Sequence, residues 1–212
     1  QWLRNLIDAS HIPAGDVDER PIEEVSADDV RSYTQCHFFA GVAGWACALR
    51  LAGWPDDEPV WTGSCPCQFA SRAARGRNTA SDLWPEWRRL ILSTRPVCVF
   101  GEQVASARDW IDGVGDDLEA AGYAFGAAVL PAVSVAQDHE RFRLYFAGHT
   151  DHEGQSGRAV NGEASRMPWT RGDAGSVVQT DGVPDRVAVM RAYGNAIVPQ
   201  VAAEFIGAYM DA

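Results

Sequence analysis

The sequence predicts an α/β fold in which a mostly parallel sheet is flanked by helices. Three observations carry this. Apolar runs of strand length recur at Cys36–Ala40, Val60–Gly63 and Val97–Gly101. Longer stretches with helical periodicity separate and follow them, at Trp45–Ala52, Leu83–Ser93 and Ser106–Ala121. A glycine turn, Gly41-Val42-Ala43-Gly44, joins the first run to its helix. With 212 residues, 46% of them hydrophobic, the chain can bury a proper core in one domain with at most a small appendage.

Taken in order, Gln1–Ser10 reads as a short amphipathic helix with Trp2, Leu3, Leu6 and Ile7 on one side. The acidic stretch from Gly15 to Val25 reads on composition as a solvated loop with one short strand. Cys36–Ala40 is a buried first strand. Gly41 and Gly44 permit a tight turn and close backbone approach to a ligand, and the N-terminus of the helix from Trp45 can receive a polar group. Gly53–Asp57 is a turn, and Val60–Gly63 is the next strand. Residues Phe69–Asp82 are arginine-rich and poor in bulky apolar residues, which predicts a mobile loop. In the helix Leu83–Ser93, the residues Leu83, Trp87, Leu90 and Ile91 point inward. A strand over Val97–Gly101 ends at Glu102. Phe125–Val135 and Leu144–Ala147 form a hairpin-type pair around His139–Arg143. From Gly148 to Pro184 periodicity gives way to Gly, Ser, Asp and Arg, as in a surface insertion. Pro199–Tyr209 is a closing helix.

The stretch richest in chemistry is Gly63-Ser64-Cys65-Pro66-Cys67-Gln68, which presents a thiol at the end of a strand. Read alone, it is open to three interpretations. Cys65 and Cys67 can be a buried structural pair, since free cysteine is among the most buried residue types. A metal site lacks the usual spacing, because no second close Cys/His pair accompanies Cys-x-Cys. A nucleophile is the third.

Downstream segments bear on that choice. Phe39-Ala40-Gly41-Val42-Ala43-Gly44, Pro66-Cys67-Gln68, Phe100-Gly101-Glu102-Gln103-Val104, His139-Glu140-Arg141-Phe142-Arg143 and Gly194-Asn195-Ala196 follow one another over about 160 residues. This series resembles the DNA (cytosine-5) methyltransferases in order and rough spacing, and is most like the compact members of bacteriophages and prophages. Their signatures are Phe-x-Gly-x-Gly-Gly, Pro-Cys-Gln, Glu-Asn-Val, Gln-x-Arg-x-Arg and a C-terminal Gly-Asn. The resemblance implies a Rossmann-like, S-adenosylmethionine-dependent methyltransferase fold. It implies a catalytic domain over residues 1–149, a minimal target recognition region over 150–184, and a C-terminal segment, 185–212, that returns to the first helix.

The resemblance also implies roles. Cys67 is the thiolate that adds to C6 of a flipped-out cytosine, with Gln68 beside it. Glu102 serves N3 and the exocyclic amine, a task for which burial would raise its titration. Arg143 binds the cytosine O2, and Arg141 supports the site. Phe39, Ala40, Gly41, Gly44, Trp45, Pro66, Leu83 and Asn195 match positions that contact S-adenosylmethionine. Departures from the pattern are His139 for glutamine, Gln103 for asparagine, and no proline after Gln68. Only about 20 residues separate Gly44 from Pro66, too few for two further strand-helix units. The family's two acid-bearing strands are therefore expected upstream, in a circularly permuted cofactor half. Asp16 or Asp18, and Glu23 or Glu24, are the candidate cofactor acids. A cytosine C5-modifying enzyme with another one-carbon donor, and a catalytically degenerate DNA-binding protein, are the alternatives.

The net charge of -11 argues against a nucleic-acid ligand until its distribution is read. Seven acids fall between Asp16 and Asp29, whereas Arg72–Arg95 holds six arginines against two acids. The chain contains no lysine, so every phosphate contact falls to arginine, and Arg72, Arg75 and Arg77 are the DNA-binding candidates. Arg88 and Arg89 fit either that basic face or an ordinary solvated helix face. Five cysteines without framework spacing suggest a reducing cytosol, in a bacterium or a phage-infected cell. No run approaches membrane-spanning length, and Gln1-Trp2-Leu3-Arg4 does not open a signal peptide. Double-stranded DNA is the expected partner, and a monomer the expected state.

Overall fold

The computed structural model describes residues 1–66, 82–132, 142–150 and 197–212. Five strands form one sheet: β1 (Gln35–Phe38), β2 (Val60–Gly63), β3 (Cys98–Val104), β4 (Ala124–Pro131) and β5 (Phe142–His149). Their order is β1-β2-β3-β5-β4. β1, β2 and β3 are parallel neighbours, while β5 runs antiparallel to both β3 and β4. Four strands thus share one direction, and the sheet is of the mostly parallel, Rossmann-like kind.

Helices cover both faces. On one face lie α3 (Gly44–Ala52) and α6 (Pro199–Met210), whose Trp45, Leu49, Val201 and Ile206 pack on Val60, Phe100 and Tyr145. On the other lie α4 (Trp84–Thr94) and α5 (Arg108–Ala120), whose Trp87, Leu90, Ile111 and Leu118 pack on Trp61, Val99, Leu144 and Phe146. Alternating residues of each strand feed alternate layers, as the period of two requires. Each fully buried Leu, Ile or Phe contributes roughly 1.5–3 kcal/mol.

Local chemistry sets the element ends. α3 stops where Gly53 turns left-handed, at φ 78. Pro85 lies in the first turn of α4, where the missing N–H is no loss, and the helix ends at Arg95 just before Pro96. Pro199 opens α6 in the same way. β3 extends past its predicted end to Val104, because Glu102 and Gln103 are buried ladder residues despite their polarity. No helix among the described residues is long and apolar enough to cross a membrane.

The N-terminal quarter corrects two expectations. α1 (Trp2–Asp8) forms, and Leu3, Leu6 and Ile7 pack beside Ile12 and Ala46, but Trp2 remains 58% exposed. The acidic stretch holds no strand. Ile22–Glu24 is a single 3-10 turn, and Ala27–Val30 (α2) is one helical turn with a Ser26/Asp29 capping box. The expected permuted strands are therefore not there, and β1 is the sheet edge among the described residues. Side-chain bonding explains the irregular path. Arg20 bonds Asp18 and Asp29 at 2.7 and 3.2 Å, and Arg4 bonds Glu19 at 2.7 Å. Arg89 of α4 donates to the carbonyls of Ile22 and Val25, at 3.2 and 2.9 Å. Arg89 is thus a clamp on this segment, and Arg88 pairs with Asp117 at 3.0 Å.

Candidate active site at the C-terminal edge of the sheet

β2 and β3 are parallel, so both deliver their last residues to the same edge, where ligands bind in open α/β sheets. β5 enters at that edge from the opposite direction. Its Arg143 therefore lies on the same face as Glu102, and Arg143 Nε donates to Glu102 Oε1 at 2.8 Å. Glu102 is buried, at 5% exposure, and the Arg143 side chain is 18% exposed. The two residues expected to meet the pyrimidine ring thus meet each other.

The segment after β2 is tied from two sides. Trp45 Nε1 donates to Ser64 Oγ at 3.0 Å, from α3. Gln103 Nε2 donates to the Cys65 carbonyl at 3.3 Å, from the end of β3, and its own Oε1 accepts from Val104 N–H at 2.9 Å. Gln103 is 1% exposed, so these bonds are shielded from water. The Cys65 thiol is buried, and burial pushes it far above the ordinary thiol range, so it is a core residue and not a nucleophile. Pro66 ends the described segment, half-buried. Cys67, Gln68, Arg72, Arg75, Arg77, Arg141 and Asn195, and the departure at His139, lie outside the described residues.

At the start of the next described segment, Asp82 accepts from Trp84 N–H at 3.0 Å and from Trp110 Nε1 at 3.1 Å. Trp84 Nε1 donates in turn to Asp117 at 2.8 Å. Both described ends of the arginine-rich stretch are thereby fixed to the sheet and its helices.

Beyond β1 lies an open groove of about 1760 Å³. Phe39, Ala40, Gly41 and Leu83 line one side, and Asp16, Asp18 and Glu23 the other. Seven residues assigned to the cofactor by resemblance therefore share one groove. Gly44, Trp45 and Pro66 are not in its lining. Gly44 is covered by the C-terminal segment, where an added Cβ would stand 2.6 Å from Ile197 Cγ1, and Trp45 is 2% exposed. The loop above the groove is conformationally forced: Phe39, Gly41 and Ala43 have φ of 54, 52 and 72. Two of these are not glycine, and such positions cost of order 1–3 kcal/mol each.

The groove suits a cofactor unequally on its two sides. The loop side offers room at Gly41, where an added Cβ would meet only the Phe39 carbonyl oxygen, at 3.9 Å. On the acidic side, Asp18 is held by Arg20, and Asp16 accepts from the Tyr33 hydroxyl at 2.5 Å. Arg20 holds the Asp18 carboxyl below its usual range, and Ser26 is the main cause of the fall of Asp29 to about 2.

His37 also lines the groove, and sequence reasoning passed over it. Its Nδ1 lies 2.7 Å from Thr62 Oγ1, its register partner on β2. Burial pushes its pKa down to about 4. The available signal was an imidazole inside an apolar strand, next to the glycine turn.

No protein-family model and no curated protein matches the sequence. Among solved structures, the chain is similar to the Dnmt2 methyltransferase of S. pombe, at 16% identity over 57% of this chain and 50% of that one, with a TM-score of 0.42. It is similar to a substituted Dnmt2 of Spodoptera frugiperda, at 12% identity over 72% and 61% of the two chains, with a TM-score of 0.46. A third is a prophage-encoded protein of E. coli described as a DNA modification methyltransferase, at 16% identity over 56% and 47%, with a TM-score of 0.42. The chain thus spans about half to three fifths of the length of these structures.

Proposed function

We propose that the chain is a DNA cytosine-5 methyltransferase that uses S-adenosylmethionine. The observation that carries this reading is the 2.8 Å contact between buried Glu102 and Arg143. It joins two segments of the ordered motif series at the sheet edge toward which Pro66 leads. A carboxyl group and a guanidinium side by side form a planar polar surface that suits N3, the exocyclic amine and O2 of cytosine.

The chemistry needs three things from the chain. C5 of cytosine is a poor nucleophile, and addition of the Cys67 thiolate to C6 makes it an enamine-like carbon. Glu102 then exchanges a proton at N3 as electron density rises in the ring. Arg143 fixes O2, and Arg141 supports it. The base must leave the duplex stack to reach these groups, with Arg72, Arg75 and Arg77 as phosphate contacts. S-adenosylmethionine would supply an electrophilic methyl group for C5; loss of the C5 proton to a base and elimination of the Cys67 thiolate from C6 then restore the aromatic ring and free the enzyme. The groove lined by Phe39, Ala40, Gly41 and Leu83 is the cofactor's proposed seat.

The decisive experiment is bisulfite sequencing of plasmid DNA from cells expressing the chain, beside the Cys67→Ser variant. The expected result is 5-methylcytosine in a defined sequence context with the wild type and none with the variant. Unmodified DNA from the wild type, or full activity in the variant, would overturn the reading.

One observation favours a second reading. Among the described residues no strand lies beyond β1 to carry cofactor acids, and Asp16 and Asp18 already have partners. A different one-carbon donor would answer to that. Calorimetry separates the two: binding of S-adenosylhomocysteine supports the first, and its absence the second.

A further inference from the structure

The outer side of β1 is an unpaired ladder. Val60 N–H donates to the Thr34 carbonyl at 3.2 Å, and Gln35 is the register partner of Val60. In a parallel pair alternate residues address the same neighbour. Thr34, Cys36 and Phe38 therefore turn their main-chain groups toward β2, and Gln35 and His37 turn theirs away from it. Neither the N–H nor the C=O of Gln35 or His37 has a hydrogen-bond partner among the described residues. Both residues line the groove beyond β1. The strand carries no charged side chain, proline or bulge, which are common protections of a bare edge. Main-chain groups inside a protein are nearly always paired, and a further strand would pair these.

The groove has room for one. Its volume of about 1760 Å³ exceeds the roughly 300–1,000 Å³ of ordinary small-molecule sites. The proposed cofactor seat is at the loop after β1, past the last residue of the strand, whereas Gln35 and His37 precede it. The lining also has a definite chemistry. It holds six acids, Asp16, Asp18, Glu19, Glu23, Asp29 and Asp56, against two arginines, Arg4 and Arg20. Of the three large apolar side chains exposed among the described residues, Trp2 at 58% and Tyr33 at 41% both belong to it. An excess of carboxylates beside exposed aromatic faces favours guanidinium groups, which pair with the first and stack on the second.

We propose that β1 accepts along its outer edge an extended, arginine-bearing segment of a separate polypeptide. The main chain of that segment pairs with Gln35 and His37, and its arginines reach the acids and the rings of Trp2 and Tyr33. The inference goes beyond the methyltransferase reading and does not depend on it.

Amide hydrogen exchange followed by NMR on the full chain reads this ladder directly. In the free protein the amides of Gln35 and His37 should exchange at least about tenfold faster than those of Cys36 and Phe38. The probe is the synthetic peptide Arg-Val-Arg-Val-Arg-Val-Arg, which presents arginine on one face when extended. Its addition should slow exchange at Gln35 and His37 by about tenfold or more, and Glu-Val-Glu-Val-Glu-Val-Glu should not. Gln35→Pro removes an N–H that faces away from β2, where proline is tolerated, and should weaken the arginine peptide by about tenfold or more. The exchange readout on the wild type needs no variant to fold. Fast exchange that persists at millimolar arginine peptide, or equal protection by the glutamate peptide, would overturn the proposal. So would slow exchange at Gln35 and His37 in the dilute free chain, which means an edge closed from within. Protection that grows with protein concentration alone would assign the edge to a second copy and overturn it too.

Discussion

Arg143 reaches Glu102 from the next strand of an antiparallel pair, so the buried carboxyl near the end of β3 faces a guanidinium of β5. Each partner makes the other tolerable. Removing one takes the ion-pair partner from a largely buried charge, which costs about 3 kcal/mol or more. Glu102→Ala should lose that much by chemical denaturation. Glu102→Gln retains shape and hydrogen bonding, and should lose less. Its methyl transfer from a labelled donor to DNA should nevertheless fall by at least about a hundredfold, because an amide cannot exchange the proton at N3. Full activity in Glu102→Gln would remove the carboxyl from the reaction.

Gln103 Nε2 holds the Cys65 carbonyl, and Gln103 Oε1 takes the Val104 N–H. Gln103→Leu preserves volume and leaves two buried backbone groups short of a partner. A loss of roughly 1–3 kcal/mol is expected. If this bond also fixes the strand end that leads to Cys67, transfer should fall further than the folded fraction does. A fall in activity that only tracks stability would confine Gln103 to a structural role.

The periodicities of the chain foretold most of its core. Trp87, Leu90 and Ile91 are buried where a helical face places them, and the Val60–Gly63 run is buried throughout, as a central parallel strand should be. What escaped depended on partners remote in sequence. Glu102 and Gln103 read as a strand end because polar residues usually are; Arg143 and the Cys65 carbonyl keep them inside. The permuted strands expected upstream of β1 came from the resemblance, not from local pattern; in the structure the acids of this segment bond Arg20 and Tyr33 while Arg89 takes two of its carbonyls. The Tyr33 and Arg89 bonds span 17 residues or more, beyond any local window. His37 went unread because its meaning comes from Thr62 on the neighbouring strand.

Gly44 is a contact residue as much as a turn residue. A methyl group there would stand 2.6 Å from Ile197 Cγ1, where the C-terminal segment crosses the start of α3. Gly44→Ala should cost about 1–3 kcal/mol through overpacking. Ile197→Ala alone opens a cavity and should also destabilise. Together they should cost less than their sum, with a coupling of about 0.5 kcal/mol or more. Additive losses in a double-mutant cycle would mean that the two do not touch in solution.

His37 should also leave a mark on the acid side of the stability curve. Burial pushes its pKa down to about 4, from an ordinary value near 6.5. The unfolded chain therefore binds a proton here at a higher pH than the folded one does. Stability from the neutral ring is fully present above about pH 6.5 and is lost as pH falls toward 4. The full effect is at most about 3 kcal/mol. Asp29, held down to about 2 chiefly by Ser26, loses its share only at lower pH, so the two windows separate. Urea midpoints taken from pH 7 to pH 4 should decline in the wild type and flatten in His37→Gln. Parallel curves for the two proteins would show that the ring accepts a proton in the fold as readily as it does in the open chain.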